Sequence, residues 1–145
     1  MCSSDLAERI FDCGGAGNDP EPAIEIALGD RKVRALLDTG ASRLVMLPER
    51  MLGELPLESG PVEGGEATGP QAGKFRPQEA RMKGDLRFGA FSVRNPLLTF
   101  HRRPRAFLGS ALLEHFAVTL DQKTHRVRFQ STSTMPINVP KAGWE

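Results

Sequence analysis

One carboxylate in this chain ends an apolar run and is followed at once by a tight turn: Ala35-Leu36-Leu37-Asp38-Thr39-Gly40-Ala41-Ser42. A carboxylate placed there rides on rigid backbone, is sheltered from bulk water, and has a proton affinity that its surroundings can tune. Gly40 lets the chain turn beside it and admits a close neighbour without a Cβ in the way. Thr39 and Ser42 bring hydroxyls near enough in sequence to hydrogen-bond the carboxylate or the turn. A second apolar run, Leu44-Val45-Met46-Leu47, leaves the turn. The chemistry on offer is proton transfer, to or from a water molecule or a reacting carbonyl.

Other chemistries find less support. His101, His115 and His125 fall in a loop, at a helix end and in a turn, and read as ordinary surface residues. No Cys, His and carboxylate spacing recommends a metal site, so no metal and no cofactor is expected. No Gly-Xaa-Ser-Xaa-Gly, P-loop or dinucleotide fingerprint occurs, and the glycines at 14–17 follow no strand. His101-Arg102-Arg103-Pro104-Arg105 is a short basic loop able to touch phosphates, but without interleaved aromatics it does not argue for a nucleic-acid partner.

Asp38-Thr39-Gly40-Ala41-Ser42 behind two apolar residues resembles the active-site turn of aspartic proteases. A second stretch, Ala106-Phe107-Leu108-Gly109 followed by Ser110-Ala111-Leu112-Leu113, resembles the apolar-apolar-Gly and short helix of retroviral-type, single-lobe enzymes. The two lie 71 residues apart, the length of one lobe. Phe116 to Asp121 and Arg126 to Phe129 resemble the last strands of bacterial retropepsin-like domains. The likeness covers roughly residues 22 to 130. It implies an all-β, retropepsin-like lobe: closed, barrel-like sheets, one short helix after the Phe107-Leu108-Gly109 strand, and a flap hairpin. It also implies peptide hydrolysis with Asp38 catalytic and Thr39, Gly40, Ala41 and Ser42 in support. Thr39 would interlock with its counterpart across a two-fold axis, and Ser42 would bond the outer carboxylate oxygen. Where those enzymes follow the glycine with Arg and an acidic or Asn residue, Ser110 and Ala111 stand here, so the charged network that braces their dimer is not expected.

Such hydrolysis takes two carboxylates, one ionised to draw a proton from water and one protonated to polarise the scissile carbonyl. Asp-Thr-Gly occurs once, and Asp121 reads as a turn residue. The second Asp therefore has to come from another copy of the chain, as a homodimer, or from a lobe upstream of it. The expected partner is a polypeptide substrate. A non-catalytic binding or dimerisation module built on the same fold remains the alternative.

The elements that position these residues read as follows. Ala23 to Leu28 alternates as a strand with Ile24, Ile26 and Leu28 on one face, and Gly29 to Lys32 turns it into a second strand, Val33 to Asp38. Leu44 to Leu47 makes a third, and Pro48 to Leu52 a single helical turn with Pro in its first position. Glu58 to Gly73, rich in Gly with Pro61 and Pro70, reads as a long loop, and by resemblance as the flap carrying Gly64, Gly65, Glu66, Ala67, Thr68 and Gly69. Phe75 to Phe88 returns as strand, Gly89-Ala90-Phe91 turns it into a hairpin, and Leu97 to Phe100 follows. Ser110 is placed to cap a helix over Ala111 to His115. Val118 to Asp121 and Arg126 to Phe129 close the fold as a hairpin.

At 145 residues this is one domain, with 39% apolar residues and no run long enough for a membrane-spanning helix. Residues 1–21 read as a linker or leading arm, 22–131 as the domain and 132–145 as a tail. Met1 to Leu6 look like a translated adapter end, which would leave the natural start, and any compartment signal, missing; bacterial periplasm and cytoplasm both stay open. Cys2 and Cys13 are too few for a disulfide framework. The net charge is +1, but residues 1–73 carry 6 basic and 13 acidic side chains and residues 74–145 carry 13 and 5. In an interleaved β fold that imbalance is expected to become mixed surface.

Overall fold

The computed structural model describes residues 10–12, 22–69, 73–89, 91–121, 123–124 and 126–131. The strands in chain order are β1 (Ile10–Asp12), β2 (Ala23–Leu28), β3 (Arg31–Leu37), β4 (Val45–Pro48), β5 (Leu57–Glu63), β6 (Ala67–Gly69) and β7 (Gly73–Phe75). They continue as β8 (Gln78–Met82), β9 (Asp85–Phe88), β10 (Phe91–Arg94), β11 (Leu97–His101), β12 (Ala106–Leu108), β13 (Phe116–Asp121) and β14 (Arg126–Ser131). A 3-10 turn covers Glu49–Met51, and α1 (Ser110–Leu113) is the only α-helix among the described residues. The chain is all-β, as the resemblance implies, with α1 its one short helix among the described residues.

Nine strands form one sheet in the order β10-β9-β2-β3-β12-β4-β11-β8-β5. The order runs open from β10 to β5 and does not close on itself among the described residues. Ile24, Ile26 and Leu28 are each at most 1% exposed, so the period-two face of β2 is the core face. β11 is buried along its whole length because it lies between β4 and β8 with both faces covered. A separate sheet, β1-β14-β13, is fastened to the large one by Phe88, Phe91, Phe116 and Phe129, whose rings meet at 4.7 to 5.6 Å in tilted and edge-on pairs. Each such contact adds about 0.5–1.5 kcal/mol beyond the area it buries.

The feature that organises the site is the insertion of β12 between β3 and β4. β12 runs parallel to β3, pairing Phe107 with Leu36, and antiparallel to β4, pairing Phe107 with Met46. Beyond the ladder, the amide of Asp38 donates to the carbonyl of Leu108 at 2.9 Å. Gly109 donates to the Leu44 carbonyl at 3.1 Å, and Ser110 to the Ala41 carbonyl at 2.7 Å. So close an approach leaves no space for a side chain. A Cβ on Gly109 would lie 2.0 Å from the Arg43 carbonyl oxygen and 2.8 Å from that of Ala41.

Several local expectations shift. Leu57 to Glu63 is a strand, although the glycines and prolines of that stretch read as loop. It is the sheet's outer strand, where a Pro costs no ladder bond, and its register with β8 breaks on both sides of Ser59. The helix after β12 starts one residue early. Gly109 is its N-cap and its carbonyl accepts the amides of Leu112 and Leu113, while Ser110 sits inside the helix and makes no side-chain cap. Pro48 precedes the 3-10 turn as its extended N-cap and closes β4. Ile10 to Asp12, read as part of a leading arm, pair with Arg126 to Arg128. Asp121 is the last residue of β13, paired with Arg126, and its side chain closes the turn that follows, Oδ1 accepting the amides of Lys123 and Thr124 at 3.0 and 3.3 Å. The rest of the arm, the tail from 132 onward and His125 lie outside the described residues.

Gly109→Ala is therefore expected to cost about 3 kcal/mol or more, at the upper end of overpacking changes, because the contacts are backbone and cannot rotate away. Urea unfolding of the variant beside Gly53→Ala, whose Cβ would meet nothing within 4 Å, measures the difference.

Candidate active site

β3 ends at Leu37, and the chain turns through Thr39 and Gly40 because the β12 carbonyl of Leu108 has taken the Asp38 amide. The turn is closed locally by the Ala41 amide on the Asp38 carbonyl, at 3.2 Å. The half-buried Asp38 carboxylate accepts the amide of Gly40 on its Oδ1 at 3.0 Å. A Cβ on Gly40 would sit 3.3 Å from that same oxygen, so glycine keeps the carboxylate's flank open. Thr39 and Ser42 are exposed. The partner of the carboxylate among the described residues is thus Gly40, where the resemblance had assigned one oxygen to Ser42.

A cleft of about 780 Å³ opens over this turn, with Asp38, Gly40, Ala41 and Ser42 in its floor. The β6–β7 hairpin adds Thr68, Lys74 and Phe75 to its lining, and Glu66 just before β6 joins them. Met46, Thr99 and Phe100 from β4 and β11 supply an inner wall, and the loop after β11 adds Arg102 and Arg103. The strand-end carboxylate and the Gly-rich hairpin, 28 residues apart between Asp38 and Glu66, therefore face one cavity. Gly64 and Gly65 lie before the hairpin and do not line the cleft; residues 70–72 lie outside the described residues. A second hollow of about 500 Å³, walled by Arg31, Arg34, Arg50 and Arg105, contains no group of the Asp38 turn. Among the described residues no cluster of His, Cys, Asp and Glu has the arrangement of a metal site.

Three supporting residues were not legible in the sequence. Glu79 is 3% exposed and receives the Arg43 guanidinium at 2.9 Å, tying the Asp38 loop to β8. The same carboxylate fills the space over Gly64, where a Cβ would come within 2.7 Å of its Oε1, and the Gly64 amide donates to the Pro77 carbonyl at 2.7 Å. One buried charge thus locks the turn that carries Asp38 to the strand that leads into the hairpin. Removing either partner of such a pair strands the other, at a cost of about 3 kcal/mol. The third is His101. Expected at the surface, it is 3% exposed, because β11 is covered on both faces up to its last residue. Its Nδ1 accepts the Arg103 amide at 2.9 Å, and its ring packs against Phe107 at 5.5 Å. The Phe107 ring in turn carries the Arg103 guanidinium 5.4 Å from its centre. Phe107, Leu108 and Gly109 therefore serve both sides: backbone to the Asp38 turn, aromatic face to the basic loop.

Burial holds the pKa of His101 below its ordinary value of 6.5, and the charge of Arg103 adds to this, against smaller opposing contributions from the backbone at Arg105 and Met46. The unfolded chain takes up this proton first as pH falls through about 6.5. Stability from this residue is therefore complete above that pH and drains away as pH drops toward the folded value. A protonated ring also cannot accept at Nδ1, so the Arg103 anchor is lost with it. In His101→Asn, which keeps an acceptor, the decline of urea stability between pH 7.5 and 5 is expected to be shallower than in the parent chain.

Comparison with solved structures agrees with this architecture. Equine infectious anaemia virus (EIAV) protease complexed with the inhibitor HBY-793 superposes with a TM-score of 0.55 at 18% identity, over 65% of this chain and 86% of that one. A retropepsin-like aspartic protease from Rickettsia conorii superposes with a TM-score of 0.55 at 16% identity, over 83% and 87%. No family model and no curated protein matches the sequence. At these identities the likeness is one of fold, and the fold is that of a retropepsin-like aspartic protease domain.

Proposed function

We propose that this chain is one lobe of an aspartic endopeptidase, and that two lobes assemble the catalytic pair. The observation that carries the reading is the Asp38 turn itself: a half-buried carboxylate on a strand end, held by β12, in the floor of a cleft walled by a hairpin. The fold shared with the viral and rickettsial proteases supports it.

Two Asp38 carboxylates brought to about 3 Å across a two-fold axis cannot both ionise, and so share one proton. The ionised member takes a proton from the attacking water, while the protonated one donates to the oxygen of the scissile carbonyl. The tetrahedral intermediate collapses when the leaving nitrogen is protonated from the same pair. No covalent intermediate and no cofactor enters. The Gly40 amide holds one carboxylate oxygen of its own lobe in place. In this reading β6–β7 is the flap, Glu66, Ala67, Thr68 and Gly69 being its first strand and approach. A C2 pair also presents the same surface on both sides, so each lobe gives half of the substrate groove. With Ser110 and Ala111 after Gly109, the pair lacks charged bracing at that point and is a weak one.

Asp38→Asn is expected to lower hydrolysis of an unfolded protein by about a thousandfold or more while leaving the circular dichroism unchanged. Sedimentation and activity measured on one dilution series test the assembly. Activity per chain should fall on dilution in step with dissociation of the pair. Constant activity from a monomer at every dilution would overturn the two-lobe reading, and a proven dimer without activity would favour a binding module.

A further inference from the structure

The charges of the Asp38 cleft are not balanced, and their fixed positions say what kind of chain fits. Arg43 is committed to the buried Glu79. Lys74 and Arg76, on and after β7, meet Glu66 at 3.5 Å and Glu63 at 3.8 Å, with all four side chains more than half exposed. Exposed pairs of that kind contribute little and exchange readily for another carboxylate. Arg102 and Arg103, on the loop after β11, have no carboxylate at ion-pair distance among the described residues. Arg103 is also held in place, its amide on the His101 ring and its guanidinium over Phe107. Beside Asp38, Glu49 and Glu66 are the acidic groups of the lining, against five cations. The lining also holds two partly exposed apolar side chains, Met46 and Phe75.

We infer that this cleft selects polypeptide segments in which apolar residues at the centre are flanked by acidic side chains, with Arg102 and Arg103 as the specificity-determining residues. The inference rests on the protease reading for its geometry. A pair of carboxylates sharing one proton carries one negative charge, which repels an acidic side chain next to the scissile bond. The acidic positions therefore lie outward from it. Two-fold symmetry places an Arg102–Arg103 loop on each side, so the preference appears both before and after the cleaved bond.

The test uses two peptides of one sequence, each with a hydroxyethylene isostere replacing the central bond, one flanked by Glu and the other by Gln. Affinities are measured for the parent chain, Arg102→Gln, and Arg102→Gln with Arg103→Gln. Arg102 is exposed and is included because its replacement touches no packing. The Glu peptide is expected to bind the parent about fivefold or more tightly than the Gln peptide, as for two partly desolvated ion pairs. That ratio should shrink in Arg102→Gln, approach one in the double variant, and fall as salt is raised. Equal affinities in the parent, a ratio that survives the double substitution, or no binding of either peptide would overturn the inference. So would stronger displacement by single-stranded DNA of the same length than by the Glu peptide. Cleavage of a library of natural peptides is read separately. Cutting without acidic enrichment defeats the inference alone, whereas binding with the expected ratio but no cutting defeats the protease reading alone.

Discussion

Three backbone hydrogen bonds hold the Asp38 turn open: Asp38 to Leu108, Gly109 to Leu44 and Ser110 to Ala41. None is local. Each joins the turn to a segment about seventy residues away in sequence, and all depend on β12 lying between β3 and β4. A loop that leaves a strand with an acidic residue would ordinarily relax toward solvent, where its polar groups are cheaply satisfied by water. Here the Asp38, Gly40 and Ala41 amides and the Asp38 and Ala41 carbonyls are paired with protein, so the carboxylate is presented in one geometry. Preorganisation of that kind is what makes a positioned acid or base effective.

Electrostatics then joins that rigid turn to the more adaptable parts around it. Glu79 carries charge into a region where it would be costly alone, and Arg43 answers it. Because Glu79 also packs beneath Gly64, the approach to the hairpin inherits the position of the Asp38 loop. On the other wall a neutral His101 supplies the acceptor that the basic loop requires. The Arg103 anchor depends on an unprotonated imidazole, so that side of the site loosens as acid protonates the ring.

Local pattern carried the strands well where one face is apolar and the other wet, as in Ala23 to Leu28, and carried the position of the Asp38 turn through its composition. The Phe107-Leu108-Gly109 motif was legible as a unit; its physical reason was not, because nothing in the string says that Gly109 will meet the Arg43 carbonyl. Leu57 to Glu63 was misread since glycine and proline signal a loop everywhere except at a sheet's irregular edge. His101 looked exposed because a polar residue at the end of an apolar run resembles a strand terminus. Whether its neighbours on both sides are covered is decided by β4 and β8, not by its own surroundings in sequence. Glu79 and Arg43 are 36 residues apart, and no periodicity announces an ion pair between them.

The insertion of β12 also sets an order in time. During synthesis β2 and β3 can pair as soon as they emerge, but β3 has no neighbour on its other side until residues 106–108 arrive. Until then the Asp38 amide has no carbonyl to meet and β4 has nothing to align against except β11, which is itself late. A nascent chain that has not yet reached Gly109 therefore contains the whole Asp-Thr-Gly sequence without its geometry. Non-local pairing of this sort is slow to form and comes after local hairpins. The geometry of the Asp38 turn is in this way withheld from the growing polypeptide until β12 has been made.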